Sequence, residues 1–551
     1  MQELKSALKA AVNNLFDVEV EPELTRPEEQ FGDFATNIAL QLAKQLGKNP
    51  REVAEAIVDK LKNLPILTDV QVAGPGFINL KLTDETLAKM AFSATDLPKP
   101  NTGQVIVLEH TDPNPFKEFH IGHAYSNTVG VATGRLLEAS GAQVHQVSYH
   151  GDVGLHIAMA VWAIQKEGFD SESLRQRLLK NIGFYYAKGA QAYHDDPVAK
   201  REIEEINKHI YARDNPSINQ IYDAGRDGSL KHFEYIYKRL GSKFEKNYFE
   251  SETAIEGEKI VKEYIGKVFE ESDGAIVYDG EKAGLHKRVF ITGQGLPTYE
   301  AKEIGLAFAK QRDYPDAQKF IVITANEIDD YFRVLITAIK EIDAGLGEKI
   351  IHLSHGVVKF PEGKMSSRTG NVKLFSSLEV DIEEALKELY KTDSVDISTV
   401  LGAIKYEFLK HRLGSDFIFD VGESISLEGN SGPYLQYAHA RARSILKKSR
   451  VQSPESIAKD SQLSALGPGE RSLARKIGEY PEVVAKASDE LMPHHICTYL
   501  YELAQSFNSF YEKNRVLDNA RQNIRLRLVK AYADVLKNGL NLLNIASPDK
   551  M

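Results

Sequence analysis

The 551-residue chain has little of what marks several classes of protein. Cys497 is its only cysteine, which excludes an internal disulfide and a zinc site built on paired thiolates. No apolar run approaches the ~20 residues that a membrane-spanning helix needs. The amphipathic N-terminus lacks the basic-then-apolar layout of a secretory signal. The patterns GxxxxGK[ST], GxGxxG and HExxH are also absent. These absences favour a cytoplasmic protein with no membrane partner and no structural metal.

Charge is divided unevenly along this chain, whose formal net charge at pH 7 is −10. Residues 431–551 carry 18 Lys and Arg against 12 Asp and Glu, a net of +6, whereas residues 1–430 carry 50 and 66, a net of −16. A basic region attached to an acidic body indicates a local contact with a polyanion. On composition alone, a solvated lysine-rich face is the alternative.

Changes of pattern divide the chain into four regions. Residues 1–97 predict a small α+β domain, in which Asn49 caps a helix and "AGPGFINLKL" (73–82) turns into a strand. Residues 98–375 predict a doubly wound α/β domain of the Rossmann-like kind, with a charged, helical insertion at about 157–285. A helical connection at 376–430 and an all-α bundle at 431–551 follow.

Short apolar stretches predict the strands of the α/β domain: QVIVLE (104–109), QVHQVSYHGD (143–152), KFIVITA (319–325) and KIIHLSH (349–355). A helix from about His123 to Ser140 joins the first two strands, which makes the βαβ unit of a parallel sheet. No strand is predicted after residue 376.

His120 and His123 flank Gly122 where the first of these strands leads into this helix. Two such histidines suit a metal site, a hydrogen-bonded core pair or a phosphate site. A zinc site needs a third ligand, and core histidines need polar partners. The N-terminus of a helix after a parallel strand presents unpaired N–H groups and the positive end of the helix dipole, which favours phosphate. A second stretch, EGKMSSRTGN (362–371), offers glycine amides, a lysine and hydroxyls that suit a leaving pyrophosphate.

HIGH (120–123) and KMSSR (364–368) resemble the paired signatures of class I aminoacyl-tRNA synthetases. Four longer stretches resemble arginyl-tRNA synthetases: LEHTDPNPFKEFHIGH, HGVVKFPEGKMSSRTGN, GNSGPYLQYAHARARSI and RLRLVKAYADVLKNGLNLLNIASPDKM. FGDFATNIALQLAKQLGKNPREVAEAIVDKL (31–61) is similar to that family's additional tRNA-contacting domain. The resemblance implies that the arginine carboxylate attacks the α-phosphate of ATP and that the arginyl group then passes to the terminal ribose of tRNA. It also implies that the C-terminal bundle binds the anticodon.

The resemblance assigns ATP binding to the two signatures. His120 and His123 would donate to the phosphates, and Gly122 would admit the adenine. The second signature would close on the pyrophosphate, with Mg²⁺ as a companion, through Lys364, Met365, Ser366 and Ser367. The family signature has a second lysine where this chain has Ser367, and Lys117 is the expected replacement for its charge, with Arg368 as the rival. The implied catalytic residues are therefore His120, His123, Lys117 and Lys364.

The arginine pocket of the family falls on five residues of this chain: Glu109, Asn114, Tyr299, Glu303 and Glu327. The first two match contacts to the amino and carboxyl end of the substrate, and Tyr299 matches a pocket tyrosine. Glu303 stands where many relatives have an aspartate that contacts the guanidinium, and Glu327 lies near a variable polar position. In the turn GDVGLH (151–156), Val153 and His156 replace residues common among relatives, so the role of this turn is left open.

Aromatic and basic residues of the C-terminal region are the expected tRNA contacts: Tyr434, Gln436, Tyr437, Arg441, Arg525 and Arg527. Rings and donors suit unpaired anticodon bases, although aromatic residues in a helical bundle are also core residues. Apolar residues of the last helix recur on one face, and Gly539 is the expected C-cap. The expected partners are tRNA, L-arginine and ATP, and the chain is expected to act as a monomer.

Two other classes of function remain open on the sequence. A nucleotidyltransferase would share the histidine signature but bind no tRNA, and the basic helical region disfavours it. A catalytically inactive RNA-binding paralogue is disfavoured by the intact His120, Gly122, His123 and Lys364. Within the class, a cysteinyl enzyme is disfavoured because it would need thiolate ligands for zinc.

Overall fold

The computed structural model describes residues 1–168, 170, 183–361, 373–449 and 465–551. The N-terminal part is a small α+β domain, as predicted. Its strands make an antiparallel sheet in the order β1-β3-β2. Asn49 caps the third helix, because its side chain accepts a hydrogen bond from the N–H of Arg51. The elements are α1 (Gln2–Phe16), β1 (Phe34–Thr36), α2 (Ile38–Leu46), α3 (Pro50–Leu61), β2 (Leu67–Ala73), β3 (Phe77–Leu82) and α4 (Asp84–Phe92).

Five parallel strands form the sheet of the central domain, in the order β11-β10-β4-β5-β6. The chain winds outward from β4 in both directions, so the strand order reverses between β4 and β10. In such sheets the ligand site lies at the carboxyl ends of the strands at this reversal. The helix after β4 is α5 (Ile121–Ala139), and the strands are β4 (Val105–Glu109), β5 (Gln143–His150), β6 (Lys246–Phe249), β10 (Lys319–Ala325) and β11 (Ile350–His355).

The four predicted strands are confirmed, but two expectations about strands are wrong. The sheet has a fifth strand, β6, inside the stretch predicted to be a helical insertion. Its sequence KNYF is short and half polar, as suits an edge strand, and carries no apolar run. A two-residue strand, β13 (Phe417–Ile418), also follows residue 376 and pairs with β12 (Val358–Lys359). Two residues are too few for an alternating pattern to reveal.

Between β5 and β11 the chain adds a helical layer and a small antiparallel sheet of β7, β8 and β9. Two of these helices, α10 and α11, pack closely because glycines face each other. A Cβ at Gly257 would lie 1.8 Å from the carbonyl oxygen of Ala301, and one at Gly305 would lie 2.1 Å from that of Thr253. The elements are α6 (Leu155–Glu167), α7 (Phe184–Asp195), α8 (Pro197–Ala212), α9 (Pro216–Leu240), α10 (Glu250–Glu263), β7 (Glu270–Ser272), β8 (Ala275–Tyr278), β9 (Arg288–Ile291), α11 (Tyr299–Asp313), α12 (Asp329–Ile342) and α13 (Ala344–Lys349).

The remainder of the chain is a helical bundle, as predicted. Its core includes the ring of Tyr532, stacked on Phe507 at 3.9 Å between centroids. Gly539 is not a C-cap: the last helix continues to Leu542, and the glycine leaves room for Leu500. The helices are α14 (Phe375–Tyr390), α15 (Ile397–Leu409), α16 (Val421–Ile425), α17 (Gly432–Lys448), α18 (Pro468–Ile477), α19 (Tyr480–Asp489), α20 (His494–Lys513) and α21 (Gln522–Leu542).

The N-terminal domain packs directly on the C-terminal bundle through ion pairs. Arg471 on α18 pairs with Asp33 and, at 2.5 Å, with Asp84. Arg26 pairs with Glu482 at 2.7 Å. The two ends of the sequence therefore meet in the folded chain. The domain boundaries proposed at 97, 375 and 430 stay predictions. Across the described ranges, no helix combines the length and apolarity needed to cross a membrane.

Candidate active site

The loop between β4 and α5 holds a backbone conformation that L-residues rarely adopt. Thr111, Asp112 and Phe116 have φ angles of 84°, 45° and 64°. Each such residue costs about 1–3 kcal/mol, so the surroundings must fix the loop. The N–H of Thr111 donates to Ser126 Oγ at 3.0 Å, and that of Phe116 donates to Ser229 Oγ at 3.0 Å. Strain held in place at the reversal of the strand order indicates a functional loop.

His120 and His123 form a reciprocal cap at the start of α5. The N–H of His123 donates to Nδ1 of His120 at 3.4 Å, and the N–H of His120 donates to Nδ1 of His123 at 3.3 Å. Their rings stack with centroids 3.6 Å apart. Because both Nδ1 atoms accept, each neutral ring carries its proton on Nε2. The pair therefore presents two Nε2–H donors to a ligand at the helix N-terminus.

Burial keeps this histidine pair uncharged. Burial, and next the adjacent Lys117, lower the pKa of His120 to about 4. Burial, then His120 and Lys117, hold the pKa of His123 well below its usual range. At neutral pH the two rings are therefore hydrogen-bond donors rather than cations. Lys117 supplies a positive charge beside the two rings, and its ammonium lies 5.0 Å from the ring centroid of Tyr186.

Gly122 has a role of its own in this arrangement. A Cβ at this position would lie 3.0 Å from Cε1 and Nδ1 of the His120 ring. That distance is tighter than ordinary packing, so the glycine lets the ring fold back over the first turn of α5. Room for adenine, the role implied by the family resemblance, stays a prediction.

The segment that follows the second signature is joined to the histidine loop. Lys364, Met365, Ser366, Ser367 and Arg368 lie outside the described residues. Just after them, the carbonyl of Lys373 accepts a hydrogen bond from the N–H of Ile121 at 3.2 Å, and Phe375 donates to the carbonyl of Phe119 at 3.2 Å. The residues just after the second signature therefore lie against the start of α5.

A buried acidic pocket lies at the carboxyl end of β4. Glu109 is 2% exposed, and its carboxylate accepts from the ammonium of Lys310 at 2.5 Å. Glu303, on the same helix as Lys310, has no hydrogen-bond donor within the described part of the chain. Burial, and next the neighbouring Glu109, raise the pKa of Glu303 well above its usual range. Asp112 contributes a further carboxylate, whose pKa is raised by burial and then by Glu109. An unpaired carboxylate among acidic neighbours is suited to bind a cationic group.

A second buried ion pair beside this pocket was missed by the sequence analysis. Glu250, the first residue of α10, accepts from Lys302 of α11 at 2.8 Å, and both side chains are 7% exposed. The close packing of α10 on α11 brings them together. The only feature of the sequence that points to Lys302 is its position between Tyr299 and Glu303, two residues of the expected arginine pocket.

The turn GDVGLH anchors the pocket rather than lining it. The carboxylate of Asp152 is fully buried; it accepts from Tyr222 at 2.9 Å and from the N–H of Ser251 at 2.8 Å. Asn114 accepts from the N–H of Gly151 at 3.0 Å, which fixes Asn114 beside the pocket. His156 bonds through Nε2 to the carbonyl of Gly151 at 2.9 Å, and burial lowers the pKa of His156 to about 3.

Two of the predicted arginine contacts lie at the edge of this site. Tyr299 begins α11, is 62% exposed and has the ammonium of Lys302 at 5.1 Å from its ring centroid. Glu327 lies in a short 3-10 turn at the carboxyl end of β10, with its side chain exposed. The structure brings Glu109 and Glu303 together, and it places Asn114 at Gly151, next to Glu250. The roles of Tyr299 and Glu327 stay predictions.

The predicted tRNA contacts divide by exposure. Tyr434 and Gln436 are buried: the tyrosine hydroxyl accepts from Asn508 at 2.9 Å, and the amide donates to the carbonyls of Ser398 and Ala546 at 3.0 Å each. Tyr437 is 47% exposed. An open ring can stack on a base, whereas the buried pair serves the packing of the bundle.

The three predicted arginines each have a contact within the chain. Arg441 lies over the ring of Tyr511 at 4.7 Å, and Arg527 over the ring of Phe92 at 4.1 Å. Arg525 donates to the buried Glu470 at 2.8 Å, a carboxylate that also binds Arg521. These contacts give the arginines structural roles; their tRNA contacts stay predictions.

Family models match this chain in three consecutive stretches. Residues 2–82 match the arginyl tRNA synthetase N terminal domain, residues 87–421 the catalytic domain of the class I (R) tRNA synthetases, and residues 435–551 the DALR anticodon binding domain. The catalytic match alone covers more than half of the chain. These stretches follow the same order as the three folded parts.

Relatives and solved structures match over the whole length. The arginine–tRNA ligase of Cutibacterium acnes is 30% identical and covers 100% of both chains. That of Flavobacterium psychrophilum is 28% identical and covers 100% of this chain and 99% of its own. The arginyl-tRNA synthetase of Thermus thermophilus superposes with a TM-score of 0.81 at 25% identity, over 100% of both chains. With the parallel sheet, the histidine pair that caps α5 and the helical bundle, these matches place the chain in the arginyl-tRNA synthetase family, within class I of the aminoacyl-tRNA synthetases.

Proposed function

We propose that the chain is an arginine–tRNA ligase, which activates L-arginine with ATP and transfers the arginyl group to the terminal ribose of tRNA. The observation that carries this proposal is the pocket. An unpaired carboxylate, Glu303, lies in buried acidic surroundings at the strand reversal where two neutral histidines present donors. A cationic amino acid and a nucleotide triphosphate are the two ligands that this pair of environments suits.

Activation requires alignment and charge neutralisation at the α-phosphate, not a covalent nucleophile. His120 and His123 donate through Nε2–H to the phosphates at the positive end of α5. Lys117 adds the charge that Ser367 lacks, and Lys364, Met365 and Ser366 complete the pyrophosphate site. Over the described ranges, no three His, Cys, Asp or Glu side chains converge as a metal site. Mg²⁺ would be supplied as its complex with ATP and would neutralise phosphate charge there.

The arginine side of the reaction is assigned to the acidic pocket. The Glu303 carboxylate binds the guanidinium, whose planar donors match a carboxylate fork. Glu109 and Asn114 orient the amino and carboxyl end beside the histidines. Tyr299 and Glu327 close the pocket from its rim.

Binding of tRNA is assigned to the C-terminal bundle, with Tyr437, Arg441, Arg525 and Arg527 as the candidate contacts and the buried Tyr434 and Gln436 supporting the helix that carries Tyr437. The net charge of +6 on residues 431–551 supports this, because the rest of the chain is acidic. The domain division is 1–97, 98–375, 376–430 and 431–551. We also propose a monomer that works in the cytoplasm, and sedimentation of the purified chain tests the first of these.

The decisive experiment is aminoacylation of total tRNA with each of the twenty amino acids. Arginine alone should be incorporated, and a His120→Ala variant should lose the activity while still binding tRNA. Pyrophosphate exchange without any charging of tRNA would instead favour a nucleotidyltransferase. Binding of tRNA with neither reaction would favour an inactive RNA-binding paralogue.

A further inference from the structure

A buried lysine away from the acidic pocket joins three parts of the chain. Lys405, on α15, is 5% exposed. Its ammonium donates to the carbonyl of Leu240 at 2.8 Å and to that of Asn544 at 2.8 Å. Leu240 is the last residue of α9, and Asn544 lies just after α21. The side-chain amide of Asn544 also donates to the Leu240 carbonyl at 2.8 Å. One ammonium thus holds the C-terminal tail, taken as residues 541–551 with the end of α21, against the end of a catalytic-domain helix.

The helix that begins at the histidine pair reaches the same tail. Arg135, near the end of α5, donates to the carbonyl of Asn541 at 2.5 Å and to its side-chain oxygen at 2.8 Å. The tail is therefore bound from α5, α9 and α15 together. Two of these helices belong to the catalytic domain.

Hydrogen bonds continue from this junction to the strained loop of the active site. Ser242 follows Leu240 by two residues, and its hydroxyl accepts from the side chain of Asn127 at 2.9 Å. The same Asn127 amide donates to Thr111 Oγ1 at 3.1 Å. Thr111 is one of the residues with positive φ in the loop that precedes the histidine pair. A shift of the α9 end would therefore be transmitted to this loop.

Stability alone does not explain a lysine at this position. Burial, and next Arg135 on α5, lower the pKa of Lys405 to about 7. The acid beside Arg135 is Glu138. The groups of α9 and of the tail that face Lys405 are carbonyl oxygens at helix ends, which favour the charged form of the lysine. No carboxylate pairs with Lys405 among the residues described. This lowered pKa reduces the stability of the folded chain as the pH falls from about 10.5 to about 7, relative to an uncharged side chain of similar length, and the cost stays at its maximum at lower pH.

We propose that Lys405 is a positioning residue for the charging reaction, because its ammonium fixes the C-terminal tail on α9 and thereby fixes the Thr111 loop. The inference rests on the proposed function and names a residue outside both substrate sites. A group that is unfavourable for folding and yet central to a junction is retained for the arrangement it holds.

The test is Lys405→Met in the full chain, assayed for charging of arginine tRNA and for thermal unfolding at pH 6 and pH 9. At pH 6 the variant should have a Tm about 2 °C or more above that of the wild type, since it buries no charge. Its kcat should nevertheless fall at least fivefold. The KM for arginine should stay within twofold, because Glu303, which is assigned to the guanidinium, lies on α11 and outside the loop that the junction holds.

At pH 9 the gain in Tm should be smaller than at pH 6. Lys405 then folds in its neutral form, and the free energy needed to remove its proton falls as the pH approaches the unfolded pKa of 10.5. A residue needed merely for folding would show the opposite at pH 6, a lower Tm together with lower activity, and that result would overturn the proposal. Wild-type kcat in the variant would overturn it as well.

Asp549→Asn is the matched control. Asp549 lies on the same tail, and its exposed carboxylate pairs with Arg443 of α17 at 3.0 Å. Within the described residues it has no hydrogen bond or ion pair to the catalytic domain. It should keep kcat within twofold, and an equal loss in the control would assign the effect to general loosening of the tail and overturn the role of Lys405. A wild-type chain that charges no tRNA with arginine would overturn the proposed function instead.

Discussion

Replacing Glu303 with glutamine should remove most of the preference of the enzyme for arginine over citrulline. The two substrates have the same shape, but citrulline ends in a neutral urea group. A hydrogen bond to a charged group contributes about 1.5–3 kcal/mol. That free energy corresponds to a roughly 10- to 100-fold loss in kcat/KM for arginine. The kcat/KM for citrulline should change little, because an amide can still bond to a urea.

The same variant should change the pH dependence and the stability in defined directions. Burial and Glu109 raise the pKa of Glu303, so the carboxyl group is protonated below that raised value and cannot attract the guanidinium. The wild-type kcat/KM for arginine should therefore rise with pH through this range, and that of the variant should not. A carboxyl group whose pKa is raised on folding destabilises the folded state at pH values above its unfolded pKa, which for glutamate is about 4.3. Glu303→Gln should consequently unfold at the same or a higher Tm at neutral pH.

The assay is steady-state charging with arginine or citrulline at saturating ATP and tRNA. Glu300→Gln is the matched control on the same helix, where Glu300 pairs with Arg288 at 3.1 Å instead of facing the pocket. The control should keep the wild-type preference. An unchanged ratio of arginine to citrulline in Glu303→Gln would refute the assignment, and Glu327 would be the next acid to test.

Four further outcomes are expected. Lys117→Ala should lower the rate of arginine activation at least tenfold, about 1.4 kcal/mol, with little change in the KM for ATP. Adding Ser367→Lys should restore part of that rate. An unchanged rate in Lys117→Ala would assign the charge at the phosphates to another cation. Tyr437→Ala should reduce charging of arginine tRNA more than binding of non-cognate tRNA, which filter binding and charging rates compare. Although burial opposes it, the hydrogen bonds from two arginines lower the pKa of Glu470 to about 2. Its stabilisation should therefore be complete above about pH 4.5 and be lost as the pH falls towards 2, and Glu470→Gln should flatten the acid limb of the unfolding curve. If Arg525 contacts phosphate, Arg525→Gln should reduce the slope of log K for tRNA binding against log salt concentration by about one unit. A lower Tm with an unchanged slope would show that Arg525 only stabilises the fold through Glu470.

Local patterns were enough to predict four of the five strands of the catalytic sheet and the place of the histidine signature. KFIVITA is a strand over the residues predicted, because buried parallel strands are continuous apolar runs. His120 and His123 lie at the start of a helix, as the strand-to-helix order required. The edge strand β6 was missed because one exposed side and four residues leave no such run.

Long-range partners could not be predicted from these patterns. Glu109 was assigned to the substrate, and its ion pair with Lys310, 201 residues away, depends on how α11 crosses the sheet. Arg525 was assigned to tRNA because a helix with free basic residues looks solvated, while its partner Glu470 lies on another helix. The positive φ of Thr111 and Asp112 likewise gives no signal, since neither residue is a glycine.

The contact between the two ends of the sequence has a consequence for synthesis on the ribosome. Arg26 and Glu482 are separated by 456 residues, and Asp33 and Arg471 by 438. At ~5–20 residues per second, the N-terminal domain would wait about 20–90 s for its partner helices to be made. During that time its structure must hold without them. Asp33 is equipped for this, because its carboxylate already accepts from the N–H of Leu82 at 2.8 Å inside the domain. Until the bundle is made, the charged face around Arg26, Asp33 and Asp84 is therefore exposed to water, with Asp33 already bonded inside its own domain.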